Sequence, residues 1–472
     1  MITLVRATLL ALIINGCAFV QAADLPPVID LTKHQSPHCS QGGRTACTYY
    51  PPIAALEAAY RRKGIDVSLS VEHLIWLRNV TAMKSSVKDA SINENNLAFL
   101  TGGGLSVNFD ILNHYGVSRA EHFPYLHDHE DYRAPYYTGF DVTDYKWFEP
   151  HRQLSLNRFN LDAKQFPDVA RQNAHYGIKQ HVFLSGKQCK DVRQLEAILA
   201  SGREVAINVF VSYPKAAHEK DRGNIPPVVW YVAADAVAKQ ADSHAMLLVG
   251  YDRTRQFFIV KNSWGPTKSG FEADKLPDGW KDITKYKGYT LMHYNYLKGN
   301  REAAYINEVA ESKESRFPHQ RALGLWRFQI EEKDSRKVVA DGVLAWRRLM
   351  DESKQSFRIG DWHGPDGNSY RVNAERDTTD RSRLTLFINF DNPNQKDKHR
   401  LGLQFKCKLS LPPAKAGELQ DGTIVATDHV TLLGHPTSKL TFRASQVLDT
   451  NLLKGLESKV TKSNKVQEGK GQ

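Results

Sequence analysis

The stretch Phe258-Ile259-Val260-Lys261-Asn262-Ser263-Trp264-Gly265 joins a β-favouring apolar run to an asparagine, a tryptophan and a glycine. Just upstream, Ser243-His244-Ala245-Met246-Leu247-Leu248-Val249-Gly250-Tyr251 opens on a histidine and continues as a second apolar run. Polar residues Arg253 to Gln256 separate the two, so an antiparallel hairpin is expected. Such a hairpin carries His244 and Asn262 to one edge of a strand-rich region. An imidazole held there takes a proton at one ring nitrogen, while the Asn262 carboxamide accepts from the other and fixes tautomer and orientation. The indole of Trp264 is placed to screen that bond from water.

A second constellation lies far upstream, in Gln41-Gly42-Gly43-Arg44-Thr45-Ala46-Cys47, directly before the Ala-rich run Ile53 to Tyr60. A cysteine at a helix start meets the positive end of the backbone dipole and unsatisfied N–H groups, and both favour the thiolate. The Gln41 side-chain N–H and the Cys47 backbone N–H then form a two-donor hole for a developing oxyanion.

Taken in order, these segments resemble the papain-like (cathepsin) cysteine peptidases over most of residues 39 to 295. Cys47-x-x-Tyr50-x-x-Ile53-Ala54-Ala55-Leu56-Glu57 is similar to the start of the family's central helix, and Leu69-Ser70-Val71-Glu72-x-Leu74 continues the likeness. Gly102-Gly103-Gly104 stands where the family uses glycines to let substrate backbone lie close. The resemblance implies an α+β, two-lobed fold, a helical lobe followed by a β-barrel-like one, with a cleft between them. It implies Cys47 as nucleophile, His244 as general base, Asn262 as its orienter and Gln41 in the oxyanion hole. Gly102, Gly103, Gly104, Ser243 and Trp264 become candidate substrate-binding residues. Peptides or proteins are then the substrates, with no cofactor and no metal.

Several positions depart from the family pattern. Arg44 and Thr101 occupy the places of a family disulfide, Thr48 replaces the aromatic residue after the nucleophile, and Ser243 precedes the histidine. Pro51-Pro52 fall in the first turns of the central helix, where Pro52 is expected to remove a donor and re-aim the helix start. Between Ala23 and Cys47 there is no room for the family's inhibitory propeptide. Two further classes share the same residues: a catalytically silent binding module, and an acyltransferase or transpeptidase in which an amine resolves the acyl-enzyme.

Around this core, residues 1–23 read as an export signal: Arg6 is the sole charge, Ala7 to Ile14 are apolar, and Val20-Gln21-Ala22 resembles a cleavage site. The product is expected to be secreted or periplasmic, with lipid anchoring at Cys17 as the alternative. Residues 24–312 form the peptidase-like domain. Residues 313–472 form a β-rich accessory domain, a sandwich or small barrel, ending in a frayed basic tail. Its period-two pattern is clearest in Trp326, Phe328 and Ile330 and in Leu401, Leu403, Phe405, Cys407 and Leu409. This domain is a candidate surface for a protein inhibitor or target, and its Trp326, Trp346 and Trp362 are expected to pack rather than form a ligand platform.

The chain has 472 residues and a formal charge of +11, without a block of consecutive basic residues, which argues against a nucleic-acid surface. No uncharged apolar run after residue 23 approaches the roughly 20 residues of a transmembrane helix. Five cysteines in so long a chain do not staple the fold; Cys189 and Cys407 are a candidate pair. His127-Asp128-His129-Glu130-Asp131 reads as a solvated polar loop rather than a metal site.

Overall fold

The computed structural model describes residues 25–42, 46–82, 104–125, 166–238, 242–267, 270–310 and 323–346, together with the C-terminal stretches 356–363, 369–376, 383–390, 401–408, 419–426, 431–432, 435–436 and 439–446. The export signal with Cys17, Arg44, Thr101, Gly102, Gly103 and the His127 to Asp131 cluster lie outside these residues. Two compact units are assembled from discontinuous segments. One comprises Met1–Cys39, Ala54–Ile65 and His181–Asn307; the other comprises Ser40–Ile53, Asp66–Gln180 and Glu308–Gln472.

The described helices are α1 (Tyr50–Arg62), α2 (Val71–Ala82), α3 (Leu105–Tyr115), α4 (Asp168–Gln172), α5 (Val192–Ala200) and α6 (Lys215–Glu219). The two prolines do not disturb α1. It begins at Tyr50, so Pro51 and Pro52 occupy its first turn, where backbone N–H groups have no intrahelical acceptor in any case. The first available donor, Ile53 N–H, bonds the Tyr49 carbonyl at 3.4 Å. The expectation of a lost donor at Pro52 is therefore corrected. Helix α3 stops at Gly116, whose φ of 60° a glycine adopts without strain.

Strands β1 (Val28–Asp30), β2 (Ile178–Ser185), β3 (Val205–Phe210), β4 (Val229–Trp230), β5 (Ser243–Asp252), β6 (Phe257–Lys261), β7 (Thr290–His293) and β8 (Asn300–Val309) form one sheet. Its order is β2-β8-β3-β5-β6-β7-β4, with β1 added alongside β5, so the path has two free ends and does not close into a ring. All of β3, β5, β6 and β7 run antiparallel to one another where they pair, and β4 joins in parallel, on β7. Near the start of the path α5 contributes Leu195 and Leu199 to a core containing Val205, Ile207, Val209, Met246 and Leu248. Asp191 caps α5, its carboxylate accepting from the backbone N–H groups of Arg193 and Gln194 at 3.0 and 3.2 Å. Gly250 is required where β1 docks: a Cβ there would overlap the Ile29 carbonyl oxygen.

In the other unit the helical part is held by apolar and aromatic packing. Trp76 and Phe166 stack at 4.0 Å, and Leu74, Leu77, Phe109 and Leu112 have no measurable exposure. Beyond it, strands β9 (Gly324–Glu332), β10 (Val338–Trp346), β11 (Ser356–His363), β12 (Ser369–Arg376), β13 (Arg383–Phe390), β14 (Leu401–Lys408), β15 (Leu419–Ala426) and, after the short pair β16 (Thr431–Leu432) and β17 (His435–Pro436), β18 (Leu440–Gln446) are the C-terminal elements. Of these, β9 to β15 and β18 close into an eight-stranded antiparallel barrel, sealed by β18 against β9 in the register Leu440↔Glu332, Phe442↔Ile330 and Ala444↔Phe328. This decides between the sandwich and barrel alternatives. Trp326, Phe328, Ile330, Trp346 and Trp362 are buried, as the period-two pattern requires. No described helix is long and apolar enough to cross a membrane.

Candidate active site

The hairpin β5–β6 forms as the sequence predicts, with Asp252 opposite Phe257 and Leu247 opposite Lys261. Extending that register sets Asn262 opposite Met246, and His244 lies two residues farther along the same face. The two are then diagonal cross-strand neighbours, within reach of long side chains. They meet: His244 Nε2 and Asn262 Oδ1 are 2.8 Å apart. Since the carboxamide oxygen only accepts, the proton is assigned to Nε2, and Nδ1 is the nitrogen left to act as base. Trp264 stacks on the imidazole, with centroids 4.1 Å apart and planes inclined by 24°. The imidazole and carboxamide are buried, whereas the indole is 53% exposed and forms the outer cover. Burial pushes the His244 pKa below the ordinary imidazole value, and the bond to Asn262 opposes that shift. Ser243, at the first position of β5, is exposed.

The residue before Asn262 is anchored from below. The Lys261 ammonium is buried and donates to the Ser36 carbonyl at 2.8 Å and to Ser36 Oγ at 2.7 Å. The Ser36 hydroxyl in turn donates to Glu57 Oε2. Burial lowers the Lys261 pKa, with the Glu57 charge opposing it. Beside this group Glu204 accepts from Arg62 at 2.6 Å and from Gln35 at 3.1 Å. Residue 261 is therefore fixed by its side chain as well as by the sheet, and Asn262 follows from a rigid base.

Gln41, Cys47 and Gly104 belong to the other unit. Cys47 lies in a turn, three residues before α1, in which Tyr49 N–H bonds the Ala46 carbonyl at 3.1 Å. The expectation that it sits at the helix start is shifted by that turn. It is partly exposed. The carbonyl of Thr48, the next residue, accepts from Asn108 Nδ2 at 2.8 Å, so α3 holds the turn in place. Gln41 is buried, and its carbonyl accepts from the Tyr125 hydroxyl at 2.8 Å. Tyr50 donates to the Ser40 carbonyl at 3.1 Å and meets the Tyr125 ring edge-on at 5.4 Å. Gly104 precedes α3 in extended conformation, as its N-cap.

The remaining described thiols are chemically quieter. Cys39 is exposed at the residue level, but desolvation of its sulfur, reinforced by the Glu57 carboxylate, raises its pKa. Burial likewise raises that of Cys189. Cys189 is free, fully buried and 3.3 Å from the Gly186 carbonyl, so the candidate bond to Cys407 is not formed. Among the described residues no group of three or more His, Cys, Asp or Glu is arranged to hold a metal ion.

Sequence reasoning missed Ser36, Asn108, Tyr50, Tyr125 and the Glu57–Lys261 connection as positioning groups. Lys261 carried a signal: a lysine at the end of a fully apolar strand requires a buried partner. Asn108 and Tyr125 bond backbone carbonyls 60 and 84 residues away, and Ser36 bonds a side chain 21 residues on, contacts that no local pattern discloses.

No family model matches the chain, and no curated protein matches it. Among solved structures it is similar to xylellain, a cysteine protease from Xylella fastidiosa, at 21% identity over 61% of this chain and 88% of that one, with a TM-score of 0.42. It is similar to digestive procathepsin L 3 of the Tenebrio molitor larval midgut at 18% identity, over 60% of this chain and 70% of that one, with a TM-score of 0.33. It is similar also to the bromelain protease from Ananas comosus, solved in complex with the E64 inhibitor, at 15% identity over 60% of this chain and 99% of that one, with a TM-score of 0.32.

Proposed function

We propose that the chain is an exported cysteine peptidase that hydrolyses peptide bonds in peptides or proteins. The observation that carries this reading is the buried 2.8 Å contact between His244 Nε2 and Asn262 Oδ1 beneath the Trp264 indole. It leaves Nδ1 as the base, held by the Asn262 bond in the orientation that a Cys47–His244 thiolate–imidazolium pair requires. In the mechanism, Nδ1 takes the Cys47 proton and the sulfur adds to the substrate carbonyl carbon. The resulting oxyanion is met by the Gln41 carboxamide and the Cys47 backbone N–H. The C–N bond breaks as His244 returns the proton to the departing amine, leaving a thioester. Water, deprotonated by His244, then releases the carboxylic acid and restores the thiol. Gly102, Gly103, Gly104, Ser243 and Trp264 line the substrate path in this reading. Residues 24–312 carry the chemistry after loss of segment 1–23, and 313–472 bind a target or inhibitor.

Iodoacetamide at neutral pH tests the proposal. The raised pKa values of Cys39 and Cys189 make them slow, so alkylation is expected to fall selectively on Cys47 and to be lost in His244→Ala. Uniform slow labelling of all thiols overturns the reading in favour of a silent fold. Product analysis with an added amine separates hydrolysis from acyl transfer.

A further inference from the structure

The segment between β3 and β5 offers no pattern in the sequence, yet it delivers one large side chain beside Trp264, the indole that stacks on His244. Trp230, in β4, lies opposite Met292 of β7, and its ring centroid is 5.8 Å from that of Trp264 with planes inclined by 42°. On its other side Trp230 meets Tyr296 at 5.9 Å, and Tyr296 meets Tyr213 at 5.6 Å. Tyr213 and Tyr296 are buried, Trp230 is half-buried and Trp264 is open to solvent. A continuous row of rings thus rises from the core and ends on the imidazole.

The row is held rigidly. Arg222 donates to the carbonyls of His218, Pro226 and Val229 at 3.1, 3.0 and 3.2 Å. The His218 ring bonds the Tyr231 carbonyl at 3.0 Å. One guanidinium therefore ties three backbone points of the segment, and the carbonyl of residue 229 adjoins Trp230 itself. An aromatic surface fixed in this way loses little conformational freedom when it binds.

Its place beside the imidazole decides what it meets. In the proposed reaction His244 protonates the departing amine, so that nitrogen comes within hydrogen-bond reach of the ring. The Cα of the leaving residue is bonded to the same nitrogen, and its side chain starts one bond farther on. That side chain therefore falls against Trp264, which stacks on His244, and against Trp230 next to it. We infer that Trp230, with Trp264, is a specificity-determining residue that selects an apolar, preferentially aromatic, side chain on the residue just after the cleaved bond. This rests on the peptidase reading of Cys47 and His244. A ring packed against two indoles gains through both area and edge-to-face contacts, and glycine gains neither.

Two internally quenched peptides test it, sharing the acyl side of a sequence that the full chain cleaves and differing only in the residue after the cut, Trp or Gly. Mass spectrometry verifies the cut. The full chain is expected to favour the Trp peptide about tenfold in kcat/KM. Trp230→Ala is expected to reduce that ratio to within about twofold, through loss on the Trp peptide, whereas Trp230→Phe keeps most of it. An unchanged ratio in Trp230→Ala, or an equal fall on both peptides, overturns the inference; the second outcome marks a purely structural tryptophan. If neither peptide is cut and Cys47 is not selectively alkylated, the peptidase reading fails and takes the inference with it. Cleavage with selective Cys47 labelling but no change of ratio removes the inference alone.

Discussion

Strand β6 ends in a buried ammonium, Lys261, satisfied by Ser36 and flanked by Glu57, whereas strand β9 directs Trp326, Phe328 and Ile330 into a barrel interior of rings and aliphatic chains. In the sheet unit His244, Asn262, Lys261, Glu57, Glu204, Glu196, Asn208 and His293 are all buried. Among the barrel residues whose side chains are described, Glu331 is the one buried polar side chain. The two ways of stabilising strands have different consequences. An open sheet keeps strand ends at which side chains from neighbouring strands converge, and each buried polar group there must be given a partner. A closed ring has no edges to satisfy and fills its interior with side chains. The proposed chemistry draws on such a strand end, that of β5–β6, where His244 and Asn262 meet.

Removing Phe328 should show the largest effect. Its ring stacks on Phe442 at 4.9 Å and meets Trp362 edge-on at 6.4 Å, so Phe328→Ala leaves a cavity that closed strands cannot collapse. A loss of about 3–5 kcal/mol is expected in denaturant unfolding, with Phe328→Leu costing much less. Equal costs for Ala and Leu would contradict a tightly packed ring.

Lys261→Met probes the other region and should cost about 3 kcal/mol, because it strands the Ser36–Glu57 pair in a dry site. Combining it with Glu57→Gln should recover much of that loss, since a neutral, hydrogen-bonding set is tolerable where a lone charge is not. Additive losses would mean that the two side chains are not coupled. The site should report the damage as well: a displaced residue 261 frees Asn262, and iodoacetamide labelling of Cys47 should slow.

Acidification separates the regions without mutation. Burial depresses the imidazole pKa values of His38 and His293 to about 4, and lowers that of His244. In the unfolded chain these rings titrate near pH 6.5. Between about pH 6.5 and 4 the unfolded state therefore binds more protons, and stability falls as pH falls through that window, levelling below it. Burial raises the Glu204 carboxyl, which gives the opposite slope, and Arg62 opposes that shift. Calorimetry should show the sheet unit's melting temperature lower by about 5 °C at pH 4.5 than at pH 7. His293→Gln should flatten that dependence; an unchanged slope would remove His293 from the account.

Legibility in the sequence followed the same divide. The period-two pattern of Trp326, Phe328 and Ile330 fixed which side chains of β9 turn inward, since alternation is a local property. Ring closure was not legible, because it depends on β18 returning to β9 across more than a hundred residues. His244 and Asn262 could be brought to one sheet edge on paper because a four-residue turn joins their strands, but the register shift between Leu248 and Gly250 that sets them on the same face was not legible. Trp230 could not, as β4 reaches β7 in parallel and long-range fashion. The doubled proline misled for a different reason: proline cost depends on its distance from the helix start, and that start lies at Tyr50 rather than near Cys47.

The smallest expected effect concerns how the open sheet is covered. A ring needs no helix to shield its interior, but the core face near β3 and β5 is closed by α5 through Leu195 and Leu199. Asp191 supplies two of that helix's otherwise unmet N–H groups with an acceptor, so Asp191→Ala should cost about 1 kcal/mol and Asp191→Asn only a few tenths. Hydrogen exchange gives the sharper readout. If α5 is an integral wall of the sheet's core, the cap mutation should raise exchange in α5 and β3 together, since releasing the helix exposes Val205 and Ile207. If exchange rises in the first turn of α5 alone, the helix end frays independently, and the sheet's core is closed by the strands' own side chains, as the ring's is.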